Sequence, residues 1–203
     1  MNEITLHGIA AAPGIVMGRA FVYKKHIPRI EEKAIPPEDV KKEIERLRDA
    51  VSRSEKELQK ILSFAEQKIG NSKAKIFEAQ IMILNDAVLF DSIYKRIEKE
   101  RKNAEFVVHG EIAKYQQLML NSSDEYMRER AHDVEDIKNR IIRNIQEQKL
   151  ISRFEGGSIV VSQSLTPADT ILFSRNDILG YATDMGGVTS HTALLSRSLK
   201  IPA

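Results

Sequence analysis

The chain of 203 residues contains no cysteine. Disulfides, thiolate catalysis and cysteine-type zinc sites are therefore excluded. No apolar run approaches the roughly 20 residues needed to span a bilayer. The N-terminus, M-N-E-I-T-L-H-G-I, lacks the basic start and long apolar core of a signal peptide. Charge of one sign is also missing: 31 Lys+Arg against 29 Asp+Glu leave a formal net charge of +2. That balance supplies no electrostatic reason to expect nucleic acid or an anionic membrane as partner. A cytoplasmic protein is expected. No G-x-S-x-G elbow, G-x-x-x-x-G-K-[ST] loop or G-x-G-x-x-G fingerprint occurs, so serine hydrolysis and direct nucleotide binding have no motif. Between residues 31 and 149 glycine is nearly absent, with only Gly70 and Gly110.

What is present falls into three parts. Residues 1 to about 30 read as β-like runs and turns: I-T-L-H-G-I, then A-P-G, then G-R-A-F-V-Y. From Pro36 onwards apolar residues recur at helical spacing. Val40, Ile44, Leu47, Val51, Leu58, Ile61, Leu62, Ala65 and Ile69 predict a long first helix, stopped by Gly70 or broken midway around Arg53-Ser54. Asn71-Ser72 cap a second helix with Ile76, Phe77, Ile81 and Leu84, leaving Met82 off the stripe and available to a partner. Asn85-Asp86 cap a third with Val88, Leu89, Ile93 and Ile97, and Asn103 a fourth with Val107, Ile112, Tyr115 and Leu118. Ser122 and Glu125 have capping-box spacing before a fifth with Met127, Ala131, Val134, Ile137, Ile141 and Ile145. The short connections predict antiparallel hairpins.

Past Gly156-Gly157 the pattern is S-I-V-V-S (strand), a helix capped by Thr166 with Pro167 next, I-L-G-Y-A-T-D (strand), Gly186-Gly187, and a helix from about Ser190. That rhythm is α/β. With β-like pieces at both ends, the simplest account is one α/β domain interrupted by a helical insertion. Strands near Ile4 and Phe21 would complete a sheet with those near Val160 and Tyr181.

His191 opens the last helix. Free N–H groups and the positive end of the helix dipole meet there, and two glycines let a backbone approach an anion closely. Hydroxyls of Thr189, Ser190 and Thr192 could bind phosphate oxygens or fix the imidazole tautomer. A neutral imidazole is a competent nucleophile near pH 7. A phosphohistidine and a plain capping or packing residue are both compatible with this stretch. A metal site is disfavoured, because Leu194 and Leu195 stand at i+3 and i+4. His7, His26, His109 and His132 lie in settings that read as structural, and Phe77 reads as core.

Five stretches then carry a resemblance: H-G-I-A-A-A-P-G-I-V-M-G-R-A, I-F-E-A-Q-I-M-I-L-N-D, D-E-Y-M-R-E-R-A-H-D-V-E-D-I, L-T-P-A-D-T and D-M-G-G-V-T-S-H-T-A-L-L-S-R-S-L-K-I-P-A. In order and over nearly the whole chain they resemble enzyme I of the phosphoenolpyruvate:sugar phosphotransferase system. The Gly-Gly-x-Thr-Ser-His signature alone is shared with pyruvate phosphate dikinase and phosphoenolpyruvate synthase. The resemblance implies an α/β phosphohistidine (swivelling) domain, truncated, with an inserted all-α domain of antiparallel helical hairpins. The discontinuous α/β part would hold residues 1–30 and 150–203, and the inserted domain residues 31–149.

By the same resemblance, His191 takes a phosphoryl group from phosphoenolpyruvate on Nε2 and passes it to a histidine of the small phosphocarrier protein HPr. Thr170 matches the position whose hydroxyl bonds that histidine; Thr189 and Ser190, named above for their hydroxyls, join it and His191 as candidate catalytic residues. Glu78, Gln80, Met82, Ile83 and Arg130 match positions at or near the HPr-docking surface. Departures fall at Val188, where arginine is familiar, at Asn71-Ser72, where an acidic pair helps bind the carrier, at Gln80, where histidine is familiar, and at Glu135, a basic position elsewhere.

The family continues beyond I-P-A with further strands, a linker and a phosphoenolpyruvate-binding barrel that carries Mg²⁺. This chain therefore reads as an N-terminal fragment with no cofactor of its own. It is expected to be monomeric and competent only for exchange with phosphorylated HPr. The alternatives are the swivelling domain of a phosphoenolpyruvate synthase or dikinase, and a non-catalytic helical binding module.

Overall fold

The computed structural model describes residues 4–25, 28–148 and 156–203, apart from the side chains at 125, 126, 129, 130 and 132. His26 and residue 150, a predicted domain boundary, lie outside the described residues, as do the side chains of Glu125, Arg130 and His132. In chain order the elements are β1 (Arg19–Tyr23), a 3₁₀ turn (Pro37–Asp39), α1 (Val40–Ile69), α2 (Asn71–Leu84), α3 (Ala87–Glu100), α4 (Ala104–Leu120), α5 (Glu125–Ile145), β2 (Ser158–Ser162), α6 (Pro167–Ser174), β3 (Gly180–Thr183) and α7 (His191–Leu199). The chain divides into two compact units. One holds Met1–His26, Ser63–Ala74 and Arg153–Ala203; the other holds Ile27–Leu62 and Lys75–Ser152. The expected limits place Ser63–Ala74, the end of α1 and the start of α2, in the inserted domain 31–149, whereas in the structure this piece goes with the first unit.

The helical unit follows its apolar periodicity. Leu47, Leu58, Phe77, Ile93, Ile97, Ile112, Ile137, Ile141 and Ile142 are at most 1% exposed. Each such side chain contributes roughly 1.5–3 kcal/mol by burial. α1 does not break at Arg53-Ser54: the Ser54 hydroxyl donates to Ala50 O at 2.7 Å and accepts from Asn144 Nδ2 at 2.9 Å, so a buried polar residue is satisfied without interrupting the helix. Gly70 at φ +82° ends α1, a backbone conformation that side chains with a Cβ resist.

Asp86 caps α3 through Leu89 N at 3.0 Å. Asn103 precedes α4 but makes no cap bond there, since its side chain accepts from Lys33 N at 2.8 Å. The first N–H of α4 is met instead by Glu43 Oε1, from Ala104 N at 2.6 Å. Glu43 and Glu105 both pair with Arg46, at 2.7 and 2.8 Å. Burial works to raise the Glu105 carboxyl, but Arg46, its own backbone N–H and Asn103 together hold it below the ordinary carboxylate range. Two residues placed on apolar stripes face outward: Val88 is 81% and Leu118 72% exposed, while Met119 takes the inward position at 4%.

The other unit is built on a parallel three-stranded sheet in the order β1-β2-β3. Central Val160 stands opposite Phe21 on one side and Tyr181 on the other. α6 connects β2 to β3, and its Phe173 meets the rings of Tyr23 and Phe21 edge-on at 5.0 and 6.4 Å. Beyond β3 the pairing continues: Tyr181 N donates to Pro202 O at 2.9 Å, while Ala11 N and Ala12 N donate to Ala203 O at 2.8 and 2.9 Å. The close approach needs Gly14, since a Cβ there would lie 2.4 Å from Pro202 Cγ.

The predicted strand near Ile4 is not formed. Residues 4–10 have no ladder, and Ile4, Leu6 and Ile9 are 78, 88 and 77% exposed. A β-like run becomes a strand only where a neighbouring strand takes up its N–H and C=O groups, and none of the described residues does so here.

Candidate functional site

β3 leaves the sheet at the carboxyl ends of the strands, where open α/β folds place their ligands. Asp184 N and Met185 N still donate to Ser162 O and Gln163 O, at 3.2 and 2.9 Å. The chain then turns at Gly186, φ +125°, a conformation that glycine alone adopts without strain. A tight turn from Gly187 to Ser190 follows, closed by Ser190 N to Gly187 O at 3.0 Å. Ser190 caps α7 by accepting from Ala193 N at 3.2 Å. His191 is thereby the first residue of α7, and it is exposed.

The hydroxyls around it divide their roles. Ser190 is occupied as the cap. Thr192 Oγ1 donates to Leu165 O at 2.8 Å, tying the first turn of α7 to the loop before α6. Thr189 is exposed and without a hydrogen-bond partner among the described residues. Thr170 is fully buried, and its hydroxyl donates to Thr166 O at 2.9 Å within α6. The threonine proton is committed to this local carbonyl and is not available to His191, and no bond between the two residues is formed among the described residues.

α6 itself is held rigidly. Thr166 and Asp169 form a reciprocal capping box, each bond 3.0 Å long. The Tyr181 hydroxyl donates to Thr170 O at 2.8 Å, and burial pushes its pKa up, with the Asp169 charge adding to the effect. Arg197 was not singled out from the sequence. One of its Nη groups donates to Val188 O at 2.7 Å and the other to Ala11 O. No signal in the sequence could have paired residues so far apart.

In the helical unit, Glu78 and Met82 lie one turn apart on α2 and are exposed, Met82 by 74%. Ile83 is half-buried. Gln80 is only 2% exposed, so its side chain offers nothing to a partner here; it sits three and four places from buried Phe77, Ile76 and Leu84 on one helix face. The side chain of Arg130 lies outside the described residues. Tyr115 Oη donates to Asp86 Oδ2 at 3.3 Å and brings the end of α4 beside the start of α3. Val88, in the first turn of α3, and Leu118, one turn after Tyr115 on α4, are exposed like Met82. Among the described residues no group of three or more His, Asp or Glu side chains is placed to hold a metal ion. No helix among them is long and apolar enough to cross a membrane.

Comparison with known proteins places these features in context. Residues 7–130 match the family of the PEP-utilising enzyme N-terminal domain, and residues 154–203 match the PEP-utilising enzyme mobile domain. The chain is 36% identical over 208 residues to a phosphoenolpyruvate-protein phosphotransferase of Geobacillus stearothermophilus, covering 100% of this chain and 35% of that protein. It is 34% identical over 200 residues to the protein of the same name from Bacillus subtilis (strain 168), covering 98% and 35%. It therefore spans about a third of the length of those relatives. A solution structure of Enzyme I (nEIt) superposes with a TM-score of 0.84 at 39% identity, over 98% of this chain and 81% of that one. The N-terminal domain of Enzyme 1 - Nitrogen superposes at 0.71 with 22% identity, over 95% and 79%, a likeness of fold.

Proposed function

Because this chain belongs to the enzyme I family of PEP-utilising enzymes, we propose that it is the phosphoryl-relay part of a phosphotransferase, with His191 as the phosphorylated residue and HPr as its protein partner. The observation that carries the reading is the exposed imidazole at the first position of α7, held there by the Gly186-Gly187 turn and the Ser190 cap. The N–H groups of His191 and Thr192 precede the first intrahelical bonds and, with the helix dipole, favour the dianionic phosphoryl group on this side chain. Exposed Thr189 supplies a further donor. Ser190 and Thr170 act indirectly, the first by capping α7 and the second within α6.

In the exchange step the Nε2 lone pair of His191 attacks phosphorus as the P–N bond of the phosphorylated carrier breaks, and no proton is gained or lost overall. Exposed Glu78 and Met82 and half-buried Ile83 on α2, with exposed Val88 and Leu118, are the proposed docking residues for HPr. Loading by phosphoenolpyruvate, and the Mg²⁺ that goes with it, belongs in this reading to a barrel domain outside the chain. The helical unit, spanned by relatives named phosphoenolpyruvate-protein phosphotransferase, favours this assignment over a synthase or dikinase. A monomer in the cytoplasm completes the proposal.

The test is direct. After mixing the chain with ³²P-labelled phospho-HPr, the expected outcome is acid-labile label on His191 by mass spectrometry. His191→Ala should abolish it while leaving the circular dichroism spectrum unchanged. Label retained by that variant would overturn the assignment.

A further inference from the structure

We propose that Arg197 is a positioning residue for phosphoryl transfer, clamping the turn that precedes His191 to the N-terminal segment; this rests on the phosphohistidine reading. Arg197 lies six places after His191, in the closing turns of α7. One Nη donates to Val188 O at 2.7 Å, inside the Gly187–Ser190 turn, and the other to Ala11 O. Ala11 N in turn donates to Ala203 O at 2.8 Å, and neighbouring Pro202 O accepts from Tyr181 N of β3 at 2.9 Å. A continuous path of hydrogen bonds and chain thus runs from the His191 turn through a guanidinium to the sheet.

The turn has few other holds. Thr183 Oγ1 donates to Met185 O at 3.0 Å and secures its beginning. Ser190 and Thr192 secure the helix start beyond it. Between them, Gly187 would have open space around a Cβ, and Met185, Gly186, Val188 and Thr189 are exposed, so packing does not define the segment. Gripping two carbonyls from separate segments suits the planar fork of a guanidinium, which offers fixed, diverging donors; a lysine ammonium on its flexible stem does not hold both in one geometry. Hydrogen bonds from a charged donor are also the stronger kind. Because an imidazole must meet phosphorus within a fraction of an ångström of the productive geometry, loosening this turn should slow transfer without weakening the partner's docking.

The experiment compares Arg197→Met, which keeps much of the apolar stem, and Arg197→Lys, which keeps the charge, with the wild-type chain. Exchange with phospho-HPr is followed by rapid quench, and amide ¹⁵N relaxation by NMR. For Arg197→Met the expected result is a rate at saturating phospho-HPr lowered by about ten- to a hundredfold, an unchanged half-saturation concentration, and lowered heteronuclear NOE values confined to residues 8–14 and 185–191. Arg197→Lys should stay close to the methionine variant. Wild-type rates in Arg197→Met, full recovery in Arg197→Lys, or loss of native amide dispersion throughout the α/β unit would each overturn the proposal. The relaxation arm needs no phosphate donor. A wild-type chain that takes no label would therefore defeat the phosphohistidine reading, whereas unchanged amide dynamics in Arg197→Met would defeat the clamp alone.

Discussion

The two units reach stability by different routes. In the helical unit, side chains three and four residues apart along each helix bury one continuous stripe, and wholly buried Ile137, Ile141 and Ile142 come from a single helix. In the α/β unit the sheet has three strands among the described residues, and large apolar residues remain in water: Ile15 is 101%, Met17 94% and Val22 62% exposed. The helical unit owes its order mainly to a core. The α/β unit owes the order of the end that carries His191 mainly to hydrogen bonds: the box on α6, the cap on α7, and the Thr192, Tyr181 and Arg197 links.

The sharpest way to break that contrast is to remove equal amounts of side chain from each unit. Ile141→Ala should cost about 2–5 kcal/mol in urea unfolding, as large-to-small changes in packed cores do. Ile15→Ala should change stability by less than about 0.5 kcal/mol, as exposed substitutions do. A large loss at Ile15 would mean that the exposed apolar side of the α/β unit contributes to its stability.

Next in size come the helix caps, because α4 and α6 are capped in opposite ways. Glu43→Ala removes the acceptor for Ala104 N and a partner of Arg46, 61 residues from the helix it caps. Hydrogen bonds to charged groups set the expected loss at about 1.5–3 kcal/mol. Thr166→Ala removes a cap three residues away and should cost about 0.5–2 kcal/mol. Thermal unfolding of both variants ranks them, and a Thr166→Ala loss exceeding that of Glu43→Ala would reverse the comparison.

The smallest effect is a pH dependence confined to the helical unit. Burial, and then the Lys138 ammonium, holds His109 below its ordinary value of 6.5, while Glu135 opposes them. A base with a depressed folded pKa stabilises the fold above the unfolded value and loses that contribution as pH falls through the folded one. Melting temperature should therefore drop modestly between pH 7 and 5, and His109→Leu should flatten part of that slope. An identical slope in the variant would remove His109 from the account.

These contrasts explain what could be read from the residues in order. Helix limits at Gly70, Asp86 and Thr166 follow from interactions within four places along the chain, and each is formed as its residue types require. The same holds for the start of α7, where Ser190 and the two glycines place His191 at its first position. The helical unit was therefore more legible than the α/β unit. Sheet membership depends on a partner strand that local sequence does not specify, which is why I-T-L-H-G-I has the pattern of a strand and lies unpaired.

Only the tertiary structure decided which side of a borderline stripe is wet. Val88 and Leu118 face outward and Gln80 inward because the neighbouring helices determine where the groove closes. Only the tertiary structure took Asn103 away from its cap and put Glu43 in its place. It alone brought Arg197 to Val188 and Ala11. The sequence by itself determined that His191 opens a helix after two glycines, because caps and left-handed turns are short-range physics. What grips that turn is an arginine reaching a carbonyl 186 residues away, and such a distance closes only when the chain has folded.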